Sequence, residues 1–300
     1  MHKNNKIFFW ACDYSLSSGE GNLARLFIRH NEKITKNNFI RIGLPKNNIL
    51  NHRYILPFIG IVFCWVYFLK KEKIYYINYL PLWNIFLFIL LPPKTQLGPI
   101  TGGAKYDKKS INIIRKYFFP LFYKVSEIFI NIRDQRVFST DLLKKYLSQK
   151  TLKKSQFNFV FNFFKQKKII REKKNIDFLI YLRKHKNKEE QSPISLIKKL
   201  SLYGFNINVV GDSLNLNNIK NHGYVSNKKL IKLLSKTFFT LPSGENFFSL
   251  FVLECIQNNV QILVDYKNYK QIKYFKKSFI KFNHKNSDDL IYLKEALKQR

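Results

Sequence analysis

The chain has 300 residues, 46% of them hydrophobic and 16% aromatic, enough apolar side chain for one large core or two ordinary ones, which excludes a disordered protein. Lys and Arg number 53 against 19 Asp and Glu, a net charge of +34, which attracts lipid headgroups, phosphorylated substrates or nucleic acid, although AT-rich coding would raise Lys and Asn as well. Cys12, Cys64 and Cys255 are widely spaced and odd in number, which argues against a disulfide framework or a metal cluster and fits a reducing cytoplasm.

The apolar stretch Ile7–Cys12 is too short for the core of a secretory signal, and no small-residue cleavage site follows it, so the chain opens on a strand at Lys6–Ala11. A helix at Gly21–His30 and a strand near Asn38–Ile42 come next. Tyr54–Leu69 and Ile74–Pro93 carry no charge. The first is shorter than the ~20 residues that span a bilayer. The second is interrupted by Asn78, Pro81 and Asn84 and ends on Pro92-Pro93, so it divides into a strand, Lys73–Asn78, and a buried or interfacial helix, Leu80–Leu91. With Arg53, Lys70, Lys71 and Lys73 on its flanks, this region reads either as a surface that dips into lipid headgroups or as ordinary core. A long helix is expected from Ser110 to about Arg133.

The charged segment Phe164–Asn175 separates the halves. Beyond it strands and helices alternate: a strand at Asp177–Leu182, a helix with Ser192 as N-cap, Pro193 in its first turn and Gly204 at its end, and a strand in "NINVVGD". A helix capped by Ser226, the strand "TFFTL", a helix after "PSGENF", the strand "VQILVD" and a last helix from about Ser287 to Gln299 complete the pattern. Such alternation predicts an α/β fold of two Rossmann-like, doubly wound domains facing a cleft: 1–165, a linker at 166–176, and 177–300.

In doubly wound sheets ligands sit at the carboxyl ends of strands, so the loops there are the candidate site. Gly19 and Gly21 follow the first strand and open a helix. Thr101, Gly102 and Gly103 in "GPITGGA" offer a second place for close backbone approach. Arg183 and Lys188, after the strand that starts the second half, pair a guanidinium with an ammonium as a pyrophosphate leaving group requires.

The segment "PSGENFFSLFVLE", Pro242–Glu254, joins these pieces into a resemblance. With Arg183 and Lys188 in "RKHKNK", Gly211 in "VVGD" and Gly223 in "NHGYVS", it is similar to the "P-S-x-x-E-x-F-G-x-x-x-L-E" pattern of the family 4 retaining glycosyltransferases of GT-B fold. "SGEGNLARLF" resembles the first glycine loop and helix of the same fold, and "GPITGGA" resembles, more loosely, loops of bacterial polysaccharide enzymes. The resemblance implies a nucleotide-sugar donor, with Arg183 and Lys188 on its phosphates and Glu254 on the ribose hydroxyls. Asn246, Phe248, Ser249, Gly211 and Gly223 then frame the donor. The family's first acidic position falls on Asn246 here, while the carboxylate stands one residue earlier, at Glu245, and either residue can fill the role. Phe248-Ser249 replaces Phe-Gly. A histidine often lies near the donor sugar in this family, but neither His30 nor His52 matches it.

The implied reaction is retaining hexosyl transfer without a metal or other cofactor, to a glycan or lipid-phosphate acceptor in cell-surface polysaccharide or lipopolysaccharide synthesis. The implied place is the cytoplasm, peripheral on the inner face of an anionic membrane, with no nucleic-acid partner. A basic nucleic-acid-binding protein and a glycosyltransferase-like protein that no longer turns over are the alternatives.

Overall fold

The structure, a computed structural model, describes residues 6–16, 18–35, 40–44, 55–102, 117–133, 136–164, 172–183, 194–242, 246–283 and 286–298. The chain forms two compact units, Met1–Phe163 and Phe164–Arg300. Most of the expected linker lies outside the described residues, and its last position, Ile176, already belongs to a strand.

In the first unit β1 (Ile7–Ala11), β2 (Ile40–Gly43), β3 (Lys73–Asn78) and β4 (Gln96–Leu97) form a parallel sheet in the order β2-β1-β3-β4. Helix α1 (Gly19–Thr35) follows β1, and α2 (Leu56–Leu69) precedes β3. Every residue of β1 is buried, as parallel strands covered on both faces require. Phe8, Trp10, Ile74 and Tyr76 face one side and share a core with α2, with α3 (Ile85–Leu90) and with α4 (Phe119–Asn131). Phe9 and Tyr75 stack at 4.7 Å on the other side, where Phe27 of α1 meets the Tyr75 ring at 6.0 Å. A short helix, α5 (Gln149–Lys153), is tied to α4 by Glu127, whose Oε1 accepts from Ser148 N at 2.8 Å, Ser148 Oγ at 2.6 Å and the Thr151 hydroxyl.

The expected helix at Leu80–Leu91 is only half formed. Pro81 pairs with Thr101 as a β-bridge, Thr101 N donates to Leu80 O at 2.9 Å, and Leu82 N donates to Thr101 O at 3.1 Å. The backbone partners here come from another segment, so the helix starts only at Ile85. The beginning expected for the long helix at Ser110 lies outside the described residues.

The second unit has a wholly parallel sheet in the order β10-β9-β8-β5-β6-β7. Its strands are β5 (Ile176–Leu182), β6 (Ile207–Gly211), β7 (Ile219–Asn221), β8 (Thr237–Thr240), β9 (Gln261–Val264) and β10 (Phe279–Lys281). Numbered within the unit, the order is 6-5-4-1-2-3, the doubly wound dinucleotide-binding order, whose direction of winding reverses between β5 and β8. Helices α6 (Ile194–Leu202) and α10 (Ser287–Lys298) share one core with β5 and β6. On the opposite face α7 (Asn227–Leu234) and α8 (Leu250–Gln257) pack on Leu179 and Val210 through Leu234 and Cys255. Gly204, at φ +70°, closes α6 in the left-handed conformation expected of a helix-terminal glycine.

Candidate functional site

The crossover between β5 and β8 places two loops of the second unit side by side. At the end of β5, Leu182 is buried and Arg183 is exposed. Leu182 O accepts Asp212 N at 2.9 Å, and Gly211 N donates to Gly223 O at 2.9 Å, so the ends of β5 and β6 and the loop before α7 are stitched together. Gly211 has φ +95°, and a Cβ there would collide with Leu182 O and press on the Tyr181 ring, so only glycine fits.

Beside these lies a set of side chains that the motif did not announce. Tyr224 OH donates to Asp212 Oδ1 at 2.8 Å, a bond that pushes the phenol above its ordinary pKa, while the neighbouring Arg183 charge pulls it the other way. The Tyr181 ring lies 5.6 Å from that of Phe251 in the first turn of α8. His222 sits 2.6 Å from Asn208 Oδ1, and burial followed by the Lys220 and Lys229 charges pushes its pKa down.

Glu254 lies on the side of α8 that faces the start of α7. Asn227, the first residue of α7, donates its Nδ2 to Glu254 Oε1 at 2.8 Å, and a carboxylate at a helix N-terminus is favourably placed. Glu254 as a residue is half-buried. Ser249 caps α8, its Oγ accepting Val252 N at 3.3 Å. Asn246 Oδ1 accepts Phe248 N at 2.9 Å, which tightens the turn before that cap. Phe248 turns its ring edge toward Tyr274, Phe275 and Phe279, at 5.7, 6.2 and 5.9 Å, and so fastens the turn to the unit. Arg183, Gly211 and Gly223 therefore lie at the carboxyl ends of β5 and β6, Glu254 stands on α8 against the start of α7, and Asn246, Phe248 and Ser249 shape the entrance of α8. Lys188 and Glu245 lie outside the described residues.

In the first unit the equivalent reversal is between β1 and β3. Asn78 bridges it: its Nδ2 donates to Asp13 O at 2.8 Å and to Glu20 O at 3.2 Å, and its Oδ1 accepts Asp13 N at 3.2 Å. The Asp13 carboxylate accepts Ser15 N at 2.9 Å, Tyr79 OH at 3.3 Å and the Ser18 hydroxyl. Burial raises its pKa, but these hydrogen bonds outweigh burial and hold the carboxyl below the usual range. Burial and the Asp13 charge push Tyr79 up to about 12.

Ser18 Oγ accepts Gly21 N at 2.8 Å and begins α1. A Cβ on Gly21 would strike the Ser15 backbone, whereas one on Gly19 would meet nothing within 4 Å. The second glycine thus serves the loop's own closure. Gly102, at φ +118°, follows the Thr101 bridge; Gly103 is outside the described residues. His30 packs edge-on against Phe159 and Phe163, at 5.4 and 5.7 Å.

Two solved structures are similar over nearly the whole chain. An alpha-glucosyltransferase in complex with UDP-glucose and DNA containing an abasic site has a TM-score of 0.53 at 12% identity, covering 98% of this chain and 90% of that one. A protein from Listeria monocytogenes assigned as a UDP-N-acetylglucosamine 2-epimerase has a TM-score of 0.51 at 10% identity, covering 98% and 87%. The chain has the GT-B fold. No protein-family model and no curated protein matches the sequence. The two similar structures differ in the chemistry their names give, so the fold alone does not choose the reaction, and the loops at the strand ends have to carry that argument.

Proposed function

We propose that the protein is a retaining, metal-independent glycosyltransferase that moves a hexose-type sugar from a nucleotide-sugar donor to a glycan or lipid-linked acceptor in cell-surface polysaccharide synthesis. What supports this reading is the sheet of dinucleotide-binding order, with Arg183, Gly211 and Gly223 at the joined ends of β5 and β6 and Glu254 against the start of the next helix, α7. Gly223, where a Cβ would meet nothing within 4 Å, leaves room for the donor at the backbone, Gly211 lets the ends of β5 and β6 close up beside it, and Glu254 takes the ribose hydroxyls. Arg183 and Lys188 hold the pyrophosphate and compensate the charge that grows on it. Glu245 or Asn246, with Ser249 and the turn anchored by Phe248, frames the sugar.

In the transfer the bond from the anomeric carbon to the phosphate oxygen breaks, and the acceptor oxygen bonds to that carbon from the same face. The acceptor's proton passes to the departing phosphate, so no protein nucleophile is needed, and the protein's part is to orient the reactants and stabilise charge. Gly19, Gly21 and the Thr101–Gly103 loop belong to the acceptor side.

A thermal-shift panel of UDP, GDP and their sugars on wild type and Glu254→Ala tests the donor site. A donor at a hundred times its Kd adds ~2.7 kcal/mol of stability, and the shift is expected from one nucleotide family and to vanish in the variant. No shift from any nucleotide in folded protein would remove the reading. A nucleic-acid-binding protein is the second reading, favoured by the net charge of +34, and the similar glucosyltransferase structure contains DNA. Steep salt dependence of binding to random oligonucleotides would support it, while nucleotide-sugar binding without transfer would point to a protein that no longer turns over.

A further inference from the structure

The three helices on one face of the first unit's sheet carry apolar side chains on both of their sides. Helix α2 has 14 residues and no charge, and its inner side, with Ile61, Cys64 and Tyr67, is buried against the sheet. Its outer side presents Phe58, Val62, Trp65 and Leu69, spaced three or four residues apart, with Val62 63% and Leu69 75% exposed. Helix α3 buries Leu87 and Phe88 and exposes Phe86, at 66%, and Ile89. Helix α4 buries Tyr123 and Ile130 and exposes Leu121, Ile128 and Ile132.

The buried sides of all three helices belong to one core cluster with Phe8, Trp10, Ile74 and Tyr76, so their outer sides look the same way. Trp65 Nε1 donates to Leu90 O at 2.8 Å, Trp83 stacks on Phe119 at 5.6 Å, and Arg133 Nη2 donates to Phe88 O at 2.9 Å and Leu91 O at 3.0 Å. The three outer sides therefore form one continuous plate.

An exposed apolar plate this broad marks an interaction surface, and its charges identify the partner. Lys70 and Lys71 follow α2, Lys94 follows α3, and Lys124 lies on α4, all exposed. The one carboxylate on the three helices, Glu127, is buried against Ser148 and Thr151, and Glu72 stands between Lys71 and Lys73. A second copy would bring +34 against +34. The 14 residues of α2 reach only about 21 Å at ~1.5 Å per residue, against ~30 Å of hydrocarbon. Among the described residues no helix is long and apolar enough to cross a membrane.

We propose that the α2–α3–α4 face seats on an anionic lipid bilayer, with Phe58, Val62, Trp65, Leu69 and Phe86 entering the headgroup boundary and the lysines meeting lipid phosphates. The face is made by the first unit alone, so the inference stands whether or not the second unit binds a nucleotide sugar.

The test is cosedimentation of the full chain with neutral phosphatidylcholine vesicles and with vesicles containing ~30% phosphatidylglycerol, together with quenching of tryptophan fluorescence by brominated lipid. Trp65 and Trp83 are 41% exposed and Trp10 is buried, so quenching reports contact at the plate. Binding is expected to the anionic vesicles with tryptophan quenching. The Val62→Glu/Leu69→Glu variant, altered only at exposed positions, should bind roughly tenfold more weakly or worse with an unchanged circular dichroism spectrum. Three results would overturn the proposal: no vesicle binding by wild type, binding that duplex DNA displaces without any tryptophan quenching, or a dimer in sedimentation that the same variant dissociates.

Discussion

Asp13 concentrates the electrostatics of the first unit's loop. Its folded pKa is held below the usual carboxylate value by bonds from Ser18, Ser15 and Tyr79 that overcome its burial. Its stabilising contribution is therefore complete above the unfolded value of about 3.9 and is lost as pH falls through the lower folded value. Asp13→Asn should melt below wild type at pH 7, and the gap between the two should close as pH drops into the acid range; a gap that stays constant would remove the charge from the account. Glu254 stands out as a candidate from its spacing after Pro242, because that part of the motif is local in sequence. Asn227, its partner at the start of α7, does not, nor does Tyr224 on Asp212. Those bonds join residues that the fold, not the chain, makes neighbours.

Among the elements, those with strong local signals were legible. The strand at Lys73–Asn78 and the serine cap at Ser226 follow from apolar runs and from a side chain that bonds its own helix; the cap at Ser249 emerged only from the structure. The strands β4, β7 and β10 were not, because they have two or three residues and owe their existence to the edge they pair with. The same holds for Leu80–Asn84, where pairing with Thr101 displaced helix. Glu127 shows what holds elements to one another: a buried carboxylate on α4 takes donors from the N-terminus of α5. Glu127→Leu would leave the Ser148 and Thr151 donors without it and should cost about 2 kcal/mol, measured by urea denaturation. A loss within the error of the fit would mean that water replaces the carboxylate.

Each unit of the molecule has its own core, one built on β1 and β3 and the other on β5 and β6. Calorimetry is therefore expected to show two transitions, and a nucleotide sugar should raise only the one belonging to the second unit. A single transition that moves as a whole would show that the two cores unfold together. The alternation of apolar runs and amphipathic segments was enough to set the α/β class, since periodicity and capping are properties of neighbouring residues. Only the tertiary structure decided the strand order, the joining of the ends of β5 and β6 with the loop before α7, the placing of Glu254 against the start of α7, and the exposure of the outer sides of α2, α3 and α4. Each of those depends on which distant segments pair, and an apolar helix reads the same in sequence whether its second side meets protein or solvent.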